Sequence, residues 1–367
     1  DTTFSTLKVA LVHDWLVTWG GGESVLHSLA RLFPQAPICT SLWHPAPRVR
    51  QVFGDRDIRT SWLQSLPFSG NHHRKLILLM PGAFRSLDLS DFDLVICYCH
   101  TPPRYLWDLS ESYLPGLRGR ALAPILDRLR GEDLKAARGV HHFVANSSFV
   151  AQRILRTYLR EAAVIHPPVD VDRFALGGND GAPSGPTESP EDYYVAGGRL
   201  VPYKRVDLAV EAANRGGFRL RVFGDGPEAQ RLREMAGPTV TFAGELESAG
   251  VAEILSGAQG FLFPGIEDFG ILPVEAQAAG VPVVADREGG ALESVVEGET
   301  GCFFEEATAG GLLEGIRELE SREWDPEACR QNARRFSRDR FERELGEYLN
   351  DVVEAGGPLG GRRGRHR

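Results

Sequence analysis

The sequence predicts a two-domain α/β protein built on parallel sheets. Three observations carry this. Short β-rich runs alternate with helical patterns in both halves, a glycine-rich turn follows the first run, and a polar Gly/Pro-rich stretch divides the chain of 367 residues. At roughly 150 residues per domain that length holds about two. A composition that is 42% hydrophobic and 25% charged gives both a core.

The first half reads as follows. Lys8 to Val12 is a β-rich run ending at His13-Asp14-Trp15, then Gly20-Gly21-Gly22-Glu23 turns the chain. From Ser24 to Phe33, Val25, Leu26, Leu29, Leu32 and Phe33 recur at helical spacing. Strand, Gly-rich turn and helix open a parallel α/β unit. Ala36 to Ser41, the apolar run Asp93 to Cys99, His142 to Asn146 and Ala163 to Ile165 are further strands. Ser147-Ser148 can cap a helix over Phe149 to Tyr158, and His166-Pro167-Pro168 stops the last strand.

Leu176 to Asp192 is crowded with Gly, Pro, Ser and acids and reads as a linker or exposed excursion. Strand–helix alternation then restarts. Tyr193–Ala196, Arg219–Phe223, Thr239–Phe242, Gly260–Phe263 and Val281–Ala285 are the strands expected. Leu208–Ala213, Glu228–Met235, Val251–Leu255 and Val274–Ala279 are the helices between them. Pro326 to Glu354 carries Phe336, Phe341, Leu345, Leu349 and Val352 at helical spacing. The basic, low-complexity end Gly356 to Arg367 reads as a solvated tail, with an electrostatic tether to anionic lipid as the sharper reading.

Composition narrows the function. The net charge of −9 argues against nucleic acid as the main partner. No stretch approaches the ~18 uninterrupted apolar residues of a membrane span. Asp1 to Leu7 shows no secretory signal pattern, so a cytoplasmic protein is expected. The five cysteines read as reduced thiols, with Cys97 and Cys99 on one strand face as buried sulfur rather than metal ligands. Gly20-Gly21-Gly22 lacks the dinucleotide glycine spacing. Asp55-Arg56-Asp57 and Asp170-Val171-Asp172 resemble metal motifs only superficially, and no metal is expected.

The most informative stretch is Phe261 to Gly280, FLFPGIEDFGILPVEAQAAG. Between Glu267 and Glu275, Phe269-Gly270-Ile271-Leu272 leads into a helix expected to begin near Pro273. Free amides at such a start bind anions, and Gly270 lets a phosphate approach the backbone. Glu267 would lie in the preceding loop and Glu275 in the first turn, each able to accept from sugar or ribose hydroxyls. Acids beside a phosphate repel it unless cations neutralise it. Arg199 and Lys204, in Gly197-Gly198-Arg199-Leu200-Val201-Pro202-Tyr203-Lys204-Arg205, are suited to hold a departing diphosphate.

Taken with Gly224-Asp225-Gly226-Pro227 and Gly289-Gly290 before Glu293, these residues resemble the retaining glycosyltransferases of family 4. His13-Asp14-Trp15, Gly20 to Glu23, Cys97-Tyr98-Cys99-His100-Thr101-Pro102 with Arg104-Tyr105 and Trp107-Asp108, and Ala145-Asn146-Ser147 match one bacterial branch, which includes mannosyltransferase-like enzymes of surface-polysaccharide assembly. The resemblance covers Lys8 to about Val353. It implies the GT-B fold, two Rossmann-like domains facing across a cleft. The domains would be 1–175, acceptor-side, and 193–335, nucleotide-sugar-binding, joined by 176–192. A helix over 336–355 would pack back toward the first domain, and a tail over 356–367 would follow.

By that resemblance Glu275 would hold the ribose and Glu267 the donor sugar. The backbone of Gly270, Ile271 and Leu272, after Phe269, would hold the distal phosphate. Arg199 and Lys204, beside Gly198, would stabilise the leaving diphosphate, and Gly244-Glu245-Leu246 would face the base. Gly21 and Gly22 would approach the phosphate and acceptor side. The donor would be a nucleotide sugar, with GDP-mannose suggested by the branch. The acceptor would be a saccharide or lipid-linked saccharide, and no cofactor is implied. His72-His73-Arg74-Lys75 before Leu76 to Met80 is a candidate for peripheral membrane contact.

One departure stands out. In this branch a further strand and loop separate the segment like Asp93 to Ile96 from the Cys-Tyr-Cys-His segment, whereas here Ile96 runs directly into Cys97. The histidine that the family places against the donor sugar lacks a direct counterpart, and His100 is the candidate replacement. Two other classes follow: a non-catalytic nucleotide-sugar-binding protein, and a sugar-nucleotide epimerase or phosphorylase.

Overall fold

In the computed structural model, residues 8–67, 79–87, 95–104, 106–108, 117–175 and 192–355 are described, with 76 and 92. The expected linker over 176–192 (save Asp192), the tail over 356–367 and His72 to Lys75 lie outside them. The chain forms two units. Unit 1 is Asp1–Asn146, Val150–Pro168 and Phe341–Arg367; unit 2 is Ser147–Phe149 and Val169–Arg340. The division thus falls at Val169 rather than at 176, because Val169, Val171 and Phe174 are buried in the unit 2 core.

Among the described residues unit 1 contains six strands: β1 (Leu11–His13), β2 (Ile38–Thr40), β3 (Ile58–Thr60), β4 (Ile96–Cys99), β5 (His142–Ala145) and β6 (Ala162–Val164). They form two three-stranded parallel sheets, β1-β2-β3 and β4-β5-β6. Among the described residues no hydrogen bond joins β1 to β4. The interruption falls where Ile96 runs straight into the Cys-Tyr-Cys-His segment. Helices α1 (Gly21–Leu32), α2 (Pro47–Phe53), α3 (Met80–Arg85), α4 (Leu117–Gly139) and α5 (Ser148–Tyr158) connect the strands.

Periodicity explains α1. Leu26 and Ala30 pack against Leu11 and Ile38 of the first sheet. Val25, one position round the helix, packs with Val144, Ile165 and Phe341 over the second. One helix therefore serves both sheets. The long α4, the short β3 and α2 were not evident from the sequence, because their apolar positions are too few or too widely spaced to declare a period. The terminal helix (Arg338–Glu354) contributes Phe341, Leu345 and Leu349 to unit 1.

Unit 2 holds one six-stranded parallel sheet, in the order β12-β11-β10-β7-β8-β9. The strands are β7 (Tyr194–Gly197), β8 (Leu220–Phe223), β9 (Val240–Gly244), β10 (Gly260–Phe263), β11 (Val283–Asp286) and β12 (Gly301–Phe304). Fully buried on both faces, β7, β10 and β11 read as apolar runs, as central parallel strands do, and the edge strand β12 is buried as well. The helices begin with α6 (Val171–Ala175), α7 (Val206–Gly216), α8 (Ala229–Met235) and α9 (Ser248–Ser256). They continue with α10 (Ile271–Ala278), α11 (Ala291–Ser294), α12 (Ala309–Glu320) and α13 (Pro326–Arg334). β12 and α12 lie outside the elements expected from the sequence, and β11 runs Val283–Asp286 rather than Val281–Ala285.

All five cysteines are free, and four are buried. Burial pushes the Cys302 and Cys329 thiols up to about 12, which keeps them protonated and unreactive.

Backbone approaches backbone at the carboxyl ends of these strands. Gly224 has φ +105°, and a Cβ there would stand 1.8 Å from the carbonyl oxygen of Gly198. Gly224→Ala is expected to cost at least ~3 kcal/mol, combining forbidden φ with a backbone clash. Urea unfolding checks this, and a midpoint within error of the parent would contradict it.

Candidate functional site

In an open parallel sheet, ligands bind beyond the carboxyl ends of the strands, where neighbouring connections run in opposite directions. In unit 2 that switch lies between β7 and β10, and Lys204 stands there against Glu267, with Gly198 and Leu272 beside it. Lys204 ends a single 3₁₀ turn, Pro202–Lys204, that follows β7. Its Nζ lies 2.7 Å from Oε1 of Glu267, in the loop after β10. Both side chains are largely covered, at 13% and 19% exposure. The ammonium approaches off the hydrogen-bonding direction, so Oε1 is buried with a charge partner but no hydrogen bond.

Glycines allow this crowding. At Gly198, φ +102°, a Cβ would stand 2.8 Å from Leu272 Cδ1 and 3.2 Å from Lys204 Nζ. At Gly265 a Cβ would meet the Lys204 Cα at 2.5 Å. The Glu267 carbonyl accepts from the Gly290 amide at 2.9 Å, tying the loop after β10 to the loop after β11. Arg199 is exposed, and its carbonyl accepts from the Val201 amide at 2.9 Å.

The helix start departs from expectation in one respect. Gly270, with φ +81°, is itself the N-cap, so α10 begins at Ile271 rather than near Pro273. Pro273 is the third helical residue, where no amide is needed. Glu275 therefore sits in the second turn, half-buried, not in the first. The amides of Ile271 and Leu272 have no intrahelical acceptor. Phe269 is buried and packs on Phe336, with ring centroids 5.4 Å apart, which fixes the turn before the helix.

Gly244 ends β9, and its carbonyl accepts from Gly224 at 2.6 Å. Leu246 packs partly buried against the core. Asp286, at the end of β11, has its carboxyl pushed up by burial and by Glu288, with Arg205 acting in the opposite direction.

Two features escaped the sequence. Glu293 in α11 accepts from the Ser148 amide (2.8 and 3.0 Å), the Ser148 hydroxyl (3.0 Å) and the Phe149 amide (3.3 Å). No spacing rule could announce a pairing 145 residues apart. Beneath the site, Gln277 of α10 donates to the carbonyls of Pro273 (3.0 Å) and Ser294 (2.9 Å). Asn332 of α13 donates to Gln277 Oε1 (2.6 Å) and to the Ser294 carbonyl (2.7 Å), and accepts from Arg335 (2.8 Å). This buried network braces α10, α11 and α13 together.

In unit 1, Gly21 and Gly22 are the first residues of α1. A Cβ on Gly22 would lie 3.2 Å from His13 Cε1 and 3.7 Å from His100 Nε2. Asp57 pairs with Arg59, and Asp170 with Arg173. Among the described residues no group of three or more His, Cys, Asp or Glu side chains is disposed to hold a metal. No described helix is long and apolar enough to cross a membrane.

Residues 183–336 match the sequence profile of the family described as Glycosyl transferases group 1. The chain is 36% identical over 109 residues to a GDP-mannose-dependent alpha-mannosyltransferase of Corynebacterium glutamicum, a stretch covering 29% of this chain and 26% of the relative. The chain thus spans about a quarter of that relative's length, and 32% of a Mycolicibacterium smegmatis protein of the same name. It is 29% identical over 339 residues to the GDP-mannose-dependent alpha-(1-6)-phosphatidylinositol monomannoside mannosyltransferase of Mycolicibacterium smegmatis, covering 85% of this chain and 78% of the relative. Among solved structures, Anabaena Alr3699/HepE in complex with UDP and glucose superposes with a TM-score of 0.65 at 17% identity, over 94% of this chain and 99% of that one. Sucrose-phosphate synthase from Thermosynechococcus elongatus gives 0.65 at 15%, over 95% and 99%. The fold is GT-B, built on two Rossmann-like domains.

Asn332→Leu would strand the Gln277 oxygen in a buried setting and take from the Ser294 carbonyl one of its two donors. It is expected to cost about 2–4 kcal/mol in chemical denaturation. An unchanged midpoint would show that the network does not brace these helices.

Proposed function

We propose that the protein is a retaining glycosyltransferase that moves a hexose from a nucleotide-diphosphate donor, GDP-mannose in the first instance, to a saccharide or lipid-linked saccharide. The observation that carries this is the Lys204–Glu267 contact beside the start of α10, at the switch point of the unit 2 sheet. A cation, a carboxylate and free amides within one covered spot suit a sugar diphosphate, whose one end is anionic and the other all hydroxyls. The relatives named as GDP-mannose-dependent mannosyltransferases support the choice of donor.

The roles follow from chemistry. Lys204 and Arg199 neutralise the leaving diphosphate, and the Gly270–Leu272 backbone holds its distal phosphate. Glu267 accepts from the sugar hydroxyls and Glu275 from the ribose. The turn at Gly244 and Leu246 borders the base, and Phe269 and Gly198 keep the loops in place. In unit 1, Gly21 and Gly22 belong to the acceptor side, and His100 beside them stands between the donor sugar and the acceptor. The C1–O bond of the donor breaks with its electron pair passing to the diphosphate. The acceptor oxygen forms the new bond to C1 on the same face, and its proton passes to a departing phosphate oxygen. Preorganised charge and alignment then supply the acceleration.

A second reading, a nucleotide-sugar-binding protein without transfer activity, is favoured by one observation: the unit 1 sheet is interrupted between β1 and β4. It predicts donor binding with neither transfer nor donor hydrolysis.

Calorimetry with UDP-, GDP- and ADP-linked hexoses tests the donor site. At least one should bind at millimolar concentration or better, and no heat from any of them would end the proposal. Lys204→Ala should weaken the bound donor by at least ~30-fold and lower transfer by at least ~100-fold. Glu275→Ala should weaken donor binding with little change in unfolding temperature. Wild-type turnover in either variant would contradict the assignment.

A further inference from the structure

Unit 1 has a switch point of its own. With β1 and β4 each at the edge of a parallel sheet, and β2-β3 and β5-β6 leading away from them, the connections diverge at the carboxyl ends of β1 and β4. His13 is the last residue of β1, and His100 immediately follows β4. Both rings lie within 4 Å of where a Gly22 Cβ would be. Glu23 completes the group: it is 8% exposed, and its Oε1 lies 3.4 Å from His13 Nε2. That contact is long, and Glu23 Oε2 has no hydrogen bond from another described residue. A Cβ on Gly20 would lie 3.3 Å from Oε2, so the carboxylate faces the chain entering the helix.

This set has a mixed character. First-turn amides and imidazoles alone would suit a phosphate. A buried carboxylate in the same turn opposes one, since like charges in a poorly hydrated spot repel strongly. A carboxylate and two imidazoles instead offer acceptors and donors for neutral hydroxyl groups. We infer that His13, Glu23 and His100 form a hydroxyl-binding subsite at the unit 1 switch point. Glu23 sets its specificity for an uncharged saccharide over a phosphorylated one. This rests on the acceptor-side role given to unit 1 above, and it names the acceptor's class at that spot and the residue that selects it. His13 holds Glu23 in place, and Gly22 leaves room for the ring.

Saturation-transfer NMR on the full chain, without donor, tests this with methyl α-mannopyranoside as the neutral probe and mannose 6-phosphate as the anionic one. The neutral probe should bind at least ~10-fold more tightly to the parent protein. Glu23→Gln should narrow that ratio to within ~3-fold, Glu23→Asp should keep it, and His13→Ala should lose the neutral probe. A merely structural Glu23, capping α1, would lower the unfolding temperature in Glu23→Gln and leave the ratio alone. An unmoved ratio in folded Glu23→Gln overturns the inference, as does equal binding of both probes, or of neither, by the parent. Should Glu23→Gln not fold, the ratio is read in His13→Gln, where it should also narrow. No donor is used, so failure of the calorimetry above counts against the donor site and leaves this result standing.

Discussion

The unit 2 site depends on one constraint: loops after β7, β8, β10 and β11 pass each other at distances no Cβ would permit. Gly198, Gly224, Gly265 and Gly290 each stand where a methyl group would overlap a neighbouring chain or side chain. Gly224 donates to the Gly244 carbonyl, and Leu200 donates to the Asp225 carbonyl, so these loops hold one another by backbone hydrogen bonds. Charged groups can then be placed by main chain rather than by flexible side chains. Without that lacing, Lys204 would sit on a mobile surface loop and keep its hydration shell.

The consequence is electrostatic. A pair of unit charges near 4 Å attracts by about 4 kcal/mol at an effective dielectric of ~20. Desolvating each partner costs several kcal/mol, so the Lys204–Glu267 contact adds little net stability. Its imperfect direction points the same way, since a pair built for stability would align a hydrogen bond. The arrangement is better understood as a desolvated cation held in reserve, with Glu267 as its resting counter-charge. On the proposed function, an incoming diphosphate would offer Lys204 a stronger anion and release the carboxylate to hydroxyl groups.

Much of this was legible in the sequence, and for a physical reason. Central parallel strands are buried on both faces, so Tyr194–Gly197 and Gly260–Phe263 announce themselves as apolar runs with a glycine at one end. Lys204 and Glu267 could be paired because acids beside an anion-binding helix start call for a cation, and the structure brings the two side chains into contact. What was not legible is long-range or conformational. Gly270 takes φ +81° and starts α10 two residues early, which moves Glu275 out of the first turn into the second, and nothing in residue type alone fixes that. The Gln277–Asn332 amides and the Ser148–Glu293 contact join residues far apart in sequence, and polar residues of these kinds read equally well as surface.

Unit 1 poses the sharper physical question. Two three-stranded sheets that share no hydrogen bond among the described residues each leave an edge, and edges need either a partner or a cover. Here the bridging element is α1, whose Leu26 and Ala30 serve one sheet while Val25 serves the other. The unit is thus held across its interruption by apolar packing on a single helix, not by a backbone ladder. That makes the first turn of α1 the point on which both sheet ends converge, with His13 arriving from one and His100 from the other. A lost strand would remove a ladder but need not remove a site, provided the helix that spans the gap keeps its footing on both sides. Glu23, buried in that first turn beside His13, is placed by the same packing, so the chemistry of the subsite and the integrity of unit 1 rest on one helix.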